Sequence, residues 1–443
     1  MKSATLILCS CLLNPWILLA ESDGSLTPAQ ALASFKVEPG LRVDLVAAEP
    51  LVADPVAMAF DEKGRLFVVE NRGYPTGPGP GNPPAGVIVL LEDRHGNGHF
   101  DRRTVFAEGL TFPNGIMPWK GGVFVTCAPD LLYLKDTDGD GKADVRRVVF
   151  TGFSTNGSTQ LRVSHPTLGM DNWVYLTSGL TGGKITSPEY PDRAPIDSKS
   201  DFRFRPETDQ YETTDGRAQF GMTFDDFGNR FICMNRVQVQ HVVLPSRYLR
   251  RNPNLVFFGA VQNLPEEMTP DLLKGDGEAA RVYPLSHNIT TADSHAGTFT
   301  AACGVMIYRA KTLPEPYWGN AFSCKPTGNL IHRDLLTRAG ASFIARRSPE
   351  QVEFVASTDD WFRPVFLTTG PDGAIYVCDM YRKTIEHPDY LPDEVRKHTD
   401  FVSGKDKGRI YRITSIKAAK PKKKTLAGAS IRQLCRELAN TNA

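Results

Sequence analysis

Short runs of valine, isoleucine, leucine and aromatic residues, each closed by a polar turn, follow one another along most of the chain. One stretch shows the unit plainly. From Val365 to Thr368 the residues are β-branched and aromatic, Pro371-Asp372-Gly373 supplies turn chemistry with glycine where a positive φ is tolerated, and Ala374 to Cys378 resumes the apolar run. This pattern predicts a β-hairpin. The same hairpin recurs from Pro55 to Glu70 and from Gln219 to Asn235. Looser copies run from Asn114 to Cys127, turning at Lys120-Gly121-Gly122, and from His165 to Ser178, turning at Asp171-Asn172. A further copy, Gly304 to Lys325, has a longer turn through Pro314 and Pro316. Six hairpins at intervals of roughly 50 to 60 residues, with more β-sequence between them, read as the blades of a β-propeller. The expected fold is all-β, a six-bladed β-propeller over residues 35 to 416, followed by a basic linker and a short helical tail over residues 417 to 443.

A second repeat lies between hairpins. The loop from Asp93 to Asp101 parallels the loop from Asp136 to Asp144. The latter places carboxylates at alternate positions, Asp136, Asp138 and Asp140, with Gly141 at the sharp turn and Asp144 three residues on, a spacing by which a short loop wraps Ca2+. Arg147 stands where an EF-hand has its bidentate glutamate, so a solvated acidic turn is the alternative to a structural calcium site. The first loop has His95 and Asn97 in place of aspartates and is expected to bind nothing. Two polar excursions, Thr181 to Asp215 and Val242 to Ala292, interrupt the strand pattern. The first contains one expected strand, Asp201 to Phe204; the second leads through a helix-like piece at Pro270 to Leu273 into the segment His287 to His295.

Opposite charges nearly cancel, 51 Lys and Arg against 50 Asp and Glu, so the basic surplus of a nucleic-acid binder is missing. The N-terminus reads as a secretory signal over residues 1 to 20: Met1-Lys2, an apolar run from Ala4 to Ala20, then polar sequence. Asn14-Pro15 interrupts that run and weighs against a membrane anchor, and no later segment is apolar for long enough to span a bilayer. A periplasmic or secreted protein is expected. Beyond the signal, Cys127, Cys233, Cys303, Cys324, Cys378 and Cys435 remain, an even number that permits disulfides in an exported chain. Cys233, Cys324 and Cys378 each follow by two residues an aromatic of a second strand, which favours buried thiols over one or two bridges. No Cys-x-x-Cys-His occurs, so no covalently held haem is encoded. Past a last strand at Gly408 to Ile413, the basic run Lys417 to Lys424 reads as a linker, and Ser430 to Leu438 begins an amphipathic helix.

In a propeller blade the innermost strand leaves one face and the next strand returns to it, so residues before the first and after the second meet near the axis. Entry residues Asn114, His165, Arg217 and Arg363, and exit residues Glu70, Arg72, Asn235, Arg236, Lys325, Asp379, Tyr381 and Arg382, are therefore expected around the mouth of the central funnel. Cations outnumber Glu70 and Asp379 among them, which predicts a cationic mouth and an anionic ligand. Pairing of Arg72 with Glu70, and of Arg382 with Asp379 or Glu386, is the alternative.

The stretches Gln219 to Phe231, Trp361 to Val365 and Asp379 to Pro388 resemble the propeller of a bacterial family of predicted exported, membrane-bound dehydrogenases. Members of that family often continue into HEAT-type repeats and a cytochrome c domain. More distantly the chain is similar to the soluble quinoprotein glucose, aldose-sugar and sorbosone dehydrogenases, which use pyrroloquinoline quinone (PQQ) and calcium on a six-bladed, TolB-like propeller. The resemblance implies that His165 takes the sugar hydroxyl proton, that Arg217 is an active-site arginine, and that Lys325 and Arg363 bind the cofactor. It also marks departures: Ser164 stands where those enzymes have an Asp, Ala218 where they have an Asn, Trp361 where they have a second cofactor Arg, and Val237-Gln238 where a Gly-Pro helps hold calcium.

The leading expectation is thus an exported oxidoreductase passing hydride from a sugar or alditol to PQQ, with an external electron acceptor such as a cytochrome c. Six-bladed propellers also host calcium-dependent lactonases, for which Glu70, Asn114, Asn235 and Asp379 would hold an axial metal. A non-catalytic propeller that binds a glycan or another protein is the third expectation.

Overall fold

The computed structural model describes residues 24–257, 259–265, 280–287, 297–348, 351–419, 425–437 and 439. Among these residues the strands form six sheets. Their inner strands are Pro55–Phe60, Gly115–Trp119, Ser164–Leu168, Met222–Phe224, Cys303–Ile307 and Pro364–Thr369, which define blades I to VI in chain order. Each inner strand packs against the next, and that of blade VI returns to that of blade I. The sheets therefore close into a ring, the six-bladed β-propeller that the hairpin repeat predicts.

The hairpin turns show why the repeat was readable. In blade I the Asp61 carboxylate accepts the backbone N–H of Lys63 (2.9 Å) and Arg65 (2.8 Å), and Gly64 sits at φ 72°. In blade IV Asp225 accepts from Phe227 (2.9 Å) and Asn229 (2.8 Å), and Gly228 sits at φ 78°. An aspartate that mimics a backbone turn, followed by a residue free to take positive φ, fixes the register of both strands.

Closure uses both ends of the propeller sequence. Leu41–Ala48 lies antiparallel on Arg409–Ser415, from Leu41 opposite Ser415 to Ala48 opposite Arg409, and completes blade VI. Phe35–Val37 likewise pairs with Val355–Ser357 at the edge of blade V. The excursion from Thr181 to Asp215 holds more β-structure than its polarity predicts. Gly183–Thr186 and Ile196–Ser198 widen blade II, while Phe202–Phe204 and Tyr211–Thr213 complete blade III. Phe202 and Phe204 meet Phe150 with ring centroids 5.2 and 5.1 Å apart, so two buried aromatics hold strands whose other positions are polar.

Cys127, Cys233, Cys303, Cys324 and Cys378 are buried free thiols and Cys435 is an exposed one. Burial pushes the Cys233 thiol up to about 12, so it stays protonated and packs as a small apolar group. The helix Ile431–Glu437 buries none of its residues. The secretory signal, the helix-like piece at Pro270 to Leu273, most of His287 to His295 and the run from Lys420 to Lys424 lie outside the described residues. No described helix is long and apolar enough to cross a membrane.

Candidate functional site at the propeller axis

Where strands enter and leave the axis, buried carboxylates hold the backbone. Asp379 accepts the N–H of Arg363 (2.7 Å) and of Tyr381 (2.9 Å), joining entry and exit of blade VI. Asp201 does the same for Ser178 (2.9 Å) and Ala218 (3.1 Å) between blades III and IV. Glu70 takes the N–H of Ala53 (3.1 Å) and also the guanidinium groups of Arg72 (2.7 Å) and Arg103 (3.0 Å).

These contacts withdraw most of the cations expected at the mouth; Arg236, half-buried beside Asn235, does not line it. Arg72 pairs with Glu70, and Arg382 forms a fully buried bidentate pair with Asp54 (2.5 and 2.7 Å) rather than with Asp379 or Glu386. Arg363 is buried and donates to the carbonyls of Arg382 (3.0 Å), Pro326 (2.9 Å) and Lys383 (2.5 Å). Lys325 is wholly buried with its Nζ on the Thr327 hydroxyl (3.3 Å), and burial pulls its ammonium down to about 8. Arg217 is exposed and donates to the Leu180 carbonyl (2.9 Å). Backbone carbonyls and distant carboxylates absorb the charge that local sequence left uncommitted.

What opens at the mouth is a cavity of about 110 Å³ lined by the amides and hydroxyls of Asn71, Asn114, Gln160, Gln219, Asn235, Tyr74 and Thr327 and by Glu386, and equally by apolar residues, among them Val56, Phe220, Val365, Met380 and Ile385. Asn71 donates to Asn114 (3.1 Å), which leaves the buried Oδ1 of Asn71 without a partner. Gln160 and the Tyr74 hydroxyl bond each other and both donate to the Ile385 carbonyl, which fixes the backbone beside Glu386. The entry–exit rule found Asn114 and Asn235. It missed Tyr74, Gln160 and Glu386, which arrive on loops, although Glu386 lies within the Asp379 to Pro388 motif.

Beneath the mouth a second cavity of about 320 Å³ runs along the axis, lined by Met58, Met117, Phe224, Met306, Phe366 and His165. The His165 ring meets Phe220 edge-on at 4.5 Å and Phe366 at 5.2 Å, so one layer of rings separates the cavities. The Ser164 hydroxyl lies 2.7 Å from the Thr177 hydroxyl and 3.0 Å from His165 Nδ1, and the Thr177 hydroxyl lies 3.2 Å from the Ser164 carbonyl, so the direction of this relay sets the His165 tautomer. Where Thr177 donates to the carbonyl, Ser164 donates to Thr177 and accepts from Nδ1, which leaves the buried, unpartnered Nε2 a bare lone pair; where Thr177 donates to Ser164, Ser164 donates to Nδ1 and Nε2 carries the proton. Burial alone pulls this imidazole down to about 3, so it is neutral at physiological pH.

A third cavity of about 340 Å³ flanks the mouth, lined by Asp360, Arg363, Lys383, His398 and Asp400, and shares Thr327, Ile385 and Glu386 with it. The four axial residues singled out by resemblance are therefore dispersed: His165 on the lower channel, Arg363 on the side groove, Lys325 inside the protein, Arg217 at the surface. The axial metal set is dispersed too, because Asn114 and Asn235 line the mouth whereas Glu70 and Asp379 are turned into backbone and arginine contacts.

On the outer edge of blade II, ligand oxygens of Asp136, Asp138 and Asp140 lie within 4.8 Å of one another, the one such group of acidic, His or Cys side chains among the described residues. Asp144 stands apart from it, accepting the Thr137 N–H (3.1 Å) and hydroxyl.

Fold and axial cavities together define a six-bladed propeller with a small polar site at its mouth. The chain belongs to the family described as Domain of unknown function (DUF7133), whose pattern matches residues 27–417. No curated protein matches the chain. Among solved structures, the calcium structure of a Trichoderma reesei carbohydrate-active enzyme of family AA12 is similar, with 13% identity, a TM-score of 0.50, and 86% of this chain and 97% of that one covered. A luciferin-regenerating enzyme is similar at 10% identity and a TM-score of 0.48, over 87% of this chain and 99% of that one. The PQQ-bound aldose sugar dehydrogenase of Streptomyces coelicolor is similar at 13% identity and a TM-score of 0.44, over 85% and 100%. At these identities the likeness is one of fold.

Proposed function

We propose that the chain is an exported oxidoreductase acting on a hydroxyl of a sugar or alditol, of the quinoprotein sugar dehydrogenase type. One observation carries this: a mouth lined by amides, hydroxyls and apolar groups, without cations, lies one layer of rings away from a neutral imidazole whose buried Nε2 has no partner. Amides and hydroxyls offer each ligand hydroxyl both a donor and an acceptor, as a polyol requires. His165 is the proposed acceptor of the hydroxyl proton, in the tautomer that leaves Nε2 bare, which requires the Phe220 ring between it and the mouth to move aside. Arg217, exposed two residues before Gln219, is the proposed partner of the substrate oxygen. Export through the signal at residues 1 to 20, a periplasmic or secreted location, an external electron acceptor such as a cytochrome c, and a structural Ca2+ on Asp136, Asp138 and Asp140 belong to the same proposal.

The hydride acceptor is the difficult part. PQQ presents several carboxylates and needs exposed cationic donors, whereas Arg363 is buried with one donor of each nitrogen on a backbone carbonyl and Lys325 is wholly buried. As arranged, these residues do not fit the quinone, and no step is drawn through it. The test is incubation with PQQ and calcium, followed by dye reduction across a sugar panel and by quinone absorbance after desalting. Sugar-dependent reduction supports the proposal, and failure of both readouts overturns it. The missing cradle favours a second reading, a propeller that binds a neutral sugar without chemistry. His165→Ala separates the two: it abolishes turnover if His165 is the base and leaves affinity unchanged if the site only binds.

A further inference from the structure

We infer that Glu386 makes the mouth selective for neutral sugars and rejects acidic ones. This rests on the sugar reading given above and reverses the anionic ligand that the local sequence suggested. Among the described residues lining the mouth, Glu386 is the sole carboxylate, and no Lys, Arg or His lines it. The carboxylate is held in place. Its Oε1 accepts the His387 N–H (3.2 Å), and the preceding carbonyl is fixed by Tyr74 and Gln160. Arg363, whose charge acts on Glu386, lies on the groove side with three of its donors on carbonyls, and Lys383 is paired there with Asp360 (3.3 Å). His398 and Asp400 complete the charged and titratable groups of that groove.

The chemistry follows from what a ligand brings to this wall. A neutral ring donates a hydroxyl hydrogen to the carboxylate, and hydrogen bonds to an ionised acceptor are the strong kind. A uronate or sulfated sugar brings a second negative charge into a cavity whose lining holds no cation to meet it, and Arg363 in the adjoining groove offsets the repulsion only in part. At an effective dielectric of about 20, like charges roughly 6 Å apart weaken binding on the order of a hundredfold. Discrimination of this kind works by a repulsive element, not by extra contacts to the favoured ligand. Burial, opposed by Gln160 and Arg363, also raises the Glu386 carboxyl above its ordinary value, so the repulsion fades as pH falls.

The test is calorimetric titration of the cofactor-free chain with neutral hexoses and their matching uronates, which needs no turnover. We expect uronates to bind roughly 10- to 100-fold more weakly than their neutral partners at pH 8. The gap should narrow in Glu386→Gln, and in the unmodified protein as pH is lowered towards the range where Glu386 takes up a proton. Equal affinity for both classes in the unmodified protein, or an unchanged gap in Glu386→Gln of native thermal stability, overturns the inference and leaves the sugar reading standing. Failure of every neutral and acidic sugar to bind overturns both.

Discussion

Ser164 and His165, adjacent in sequence, are joined side chain to side chain, Oγ to Nδ1 at 3.0 Å, and Thr177 decides which of them donates. If the Thr177 hydrogen goes to the Ser164 carbonyl, Ser164 gives its own to Thr177 and accepts from the imidazole, and this is the arrangement that a base at Nε2 requires. Thr177→Val removes that acceptor and frees Ser164 to donate to Nδ1. The expected result is a move of the imidazole proton to Nε2, visible in the nitrogen chemical shifts of His165, with loss of any turnover that depends on the bare Nε2. The buried hydroxyl contact removed is worth about 1 kcal/mol, so the variant should remain folded. Retention of the Nδ1–H form would show that something other than this relay sets the tautomer.

The fold was legible because each blade repeats a local device. Asp61 with Gly64, and Asp225 with Gly228, are readable within a few residues, and so is the alternation of the strands they join. The outer strands of blades II and III were not, since Gly183–Thr186 and Tyr211–Thr213 are short and are anchored by Ile185 and Tyr211 in a core cluster shared with Phe150 and Phe153. The candidate site divides in the same way. Strand entry and exit placed Asn114 and Asn235 at the mouth, but the fate of charge depends on partners that local pattern does not encode. Arg382 finds Asp54 across 328 residues of chain, and Arg363 finds three carbonyls. The residues read as a cationic funnel are the ones that tie the funnel together.

That tie has a measurable cost when half of it is removed. Asp54 and Arg382 are both essentially inaccessible, so Asp54→Ala leaves a guanidinium buried without its counter-charge. We expect a loss of about 3 to 5 kcal/mol, seen as a lowered denaturant midpoint with an unchanged slope. Replacing both residues by apolar side chains of matching volume should recover most of it, and a single variant as stable as the parent would show that the pair contributes little.

His332 sets an alkaline limit. It lies between Glu353 (2.7 Å) and Asp334 (3.4 Å), and although burial opposes its charge, the two carboxylates outweigh burial and hold it at about 10. An unfolded histidine titrates near ~6.5, so the stability this group contributes is complete below that pH and is lost as pH rises through its folded value. Chemical denaturation between pH 7 and pH 10 should show stability falling by up to about 1.4 kcal/mol per unit from this group alone. His332→Gln should be less stable at pH 7, where Glu353 loses one of its two cations and keeps Arg347 (3.3 Å), and flatter across the same window. A slope unchanged by the substitution would assign the alkaline loss elsewhere.

The last prediction uses the two acidic loops as each other's control. They share a hydrogen-bonded frame. Asp93 takes the Gly98 N–H (2.7 Å) as Asp136 takes that of Gly141 (2.9 Å), and Asp101 takes the Arg94 N–H (3.1 Å) as Asp144 takes that of Thr137 (3.1 Å). Even Asn97, which accepts the His99 N–H (2.9 Å), reproduces Asp140 with Lys142 (2.7 Å). The two folds agree although only one loop has three converging carboxylates, so the turn does not need an ion to form. Calcium, if bound, is an added ligand of the blade II loop, held without a bidentate glutamate and therefore with a dissociation constant on the order of 0.1 to 1 mM. Titration with Ca2+, followed by the backbone amide shifts of residues 136 to 144, should saturate in that range while residues 93 to 101 stay unmoved. Calcium should raise the melting temperature by an amount that grows with the ratio of its concentration to the dissociation constant, as mass action requires. Converting the second loop to the first with Asp138→His and Asp140→Asn should abolish the titration and preserve the fold of the turn. Binding that survives the double substitution would place the ion outside these carboxylates.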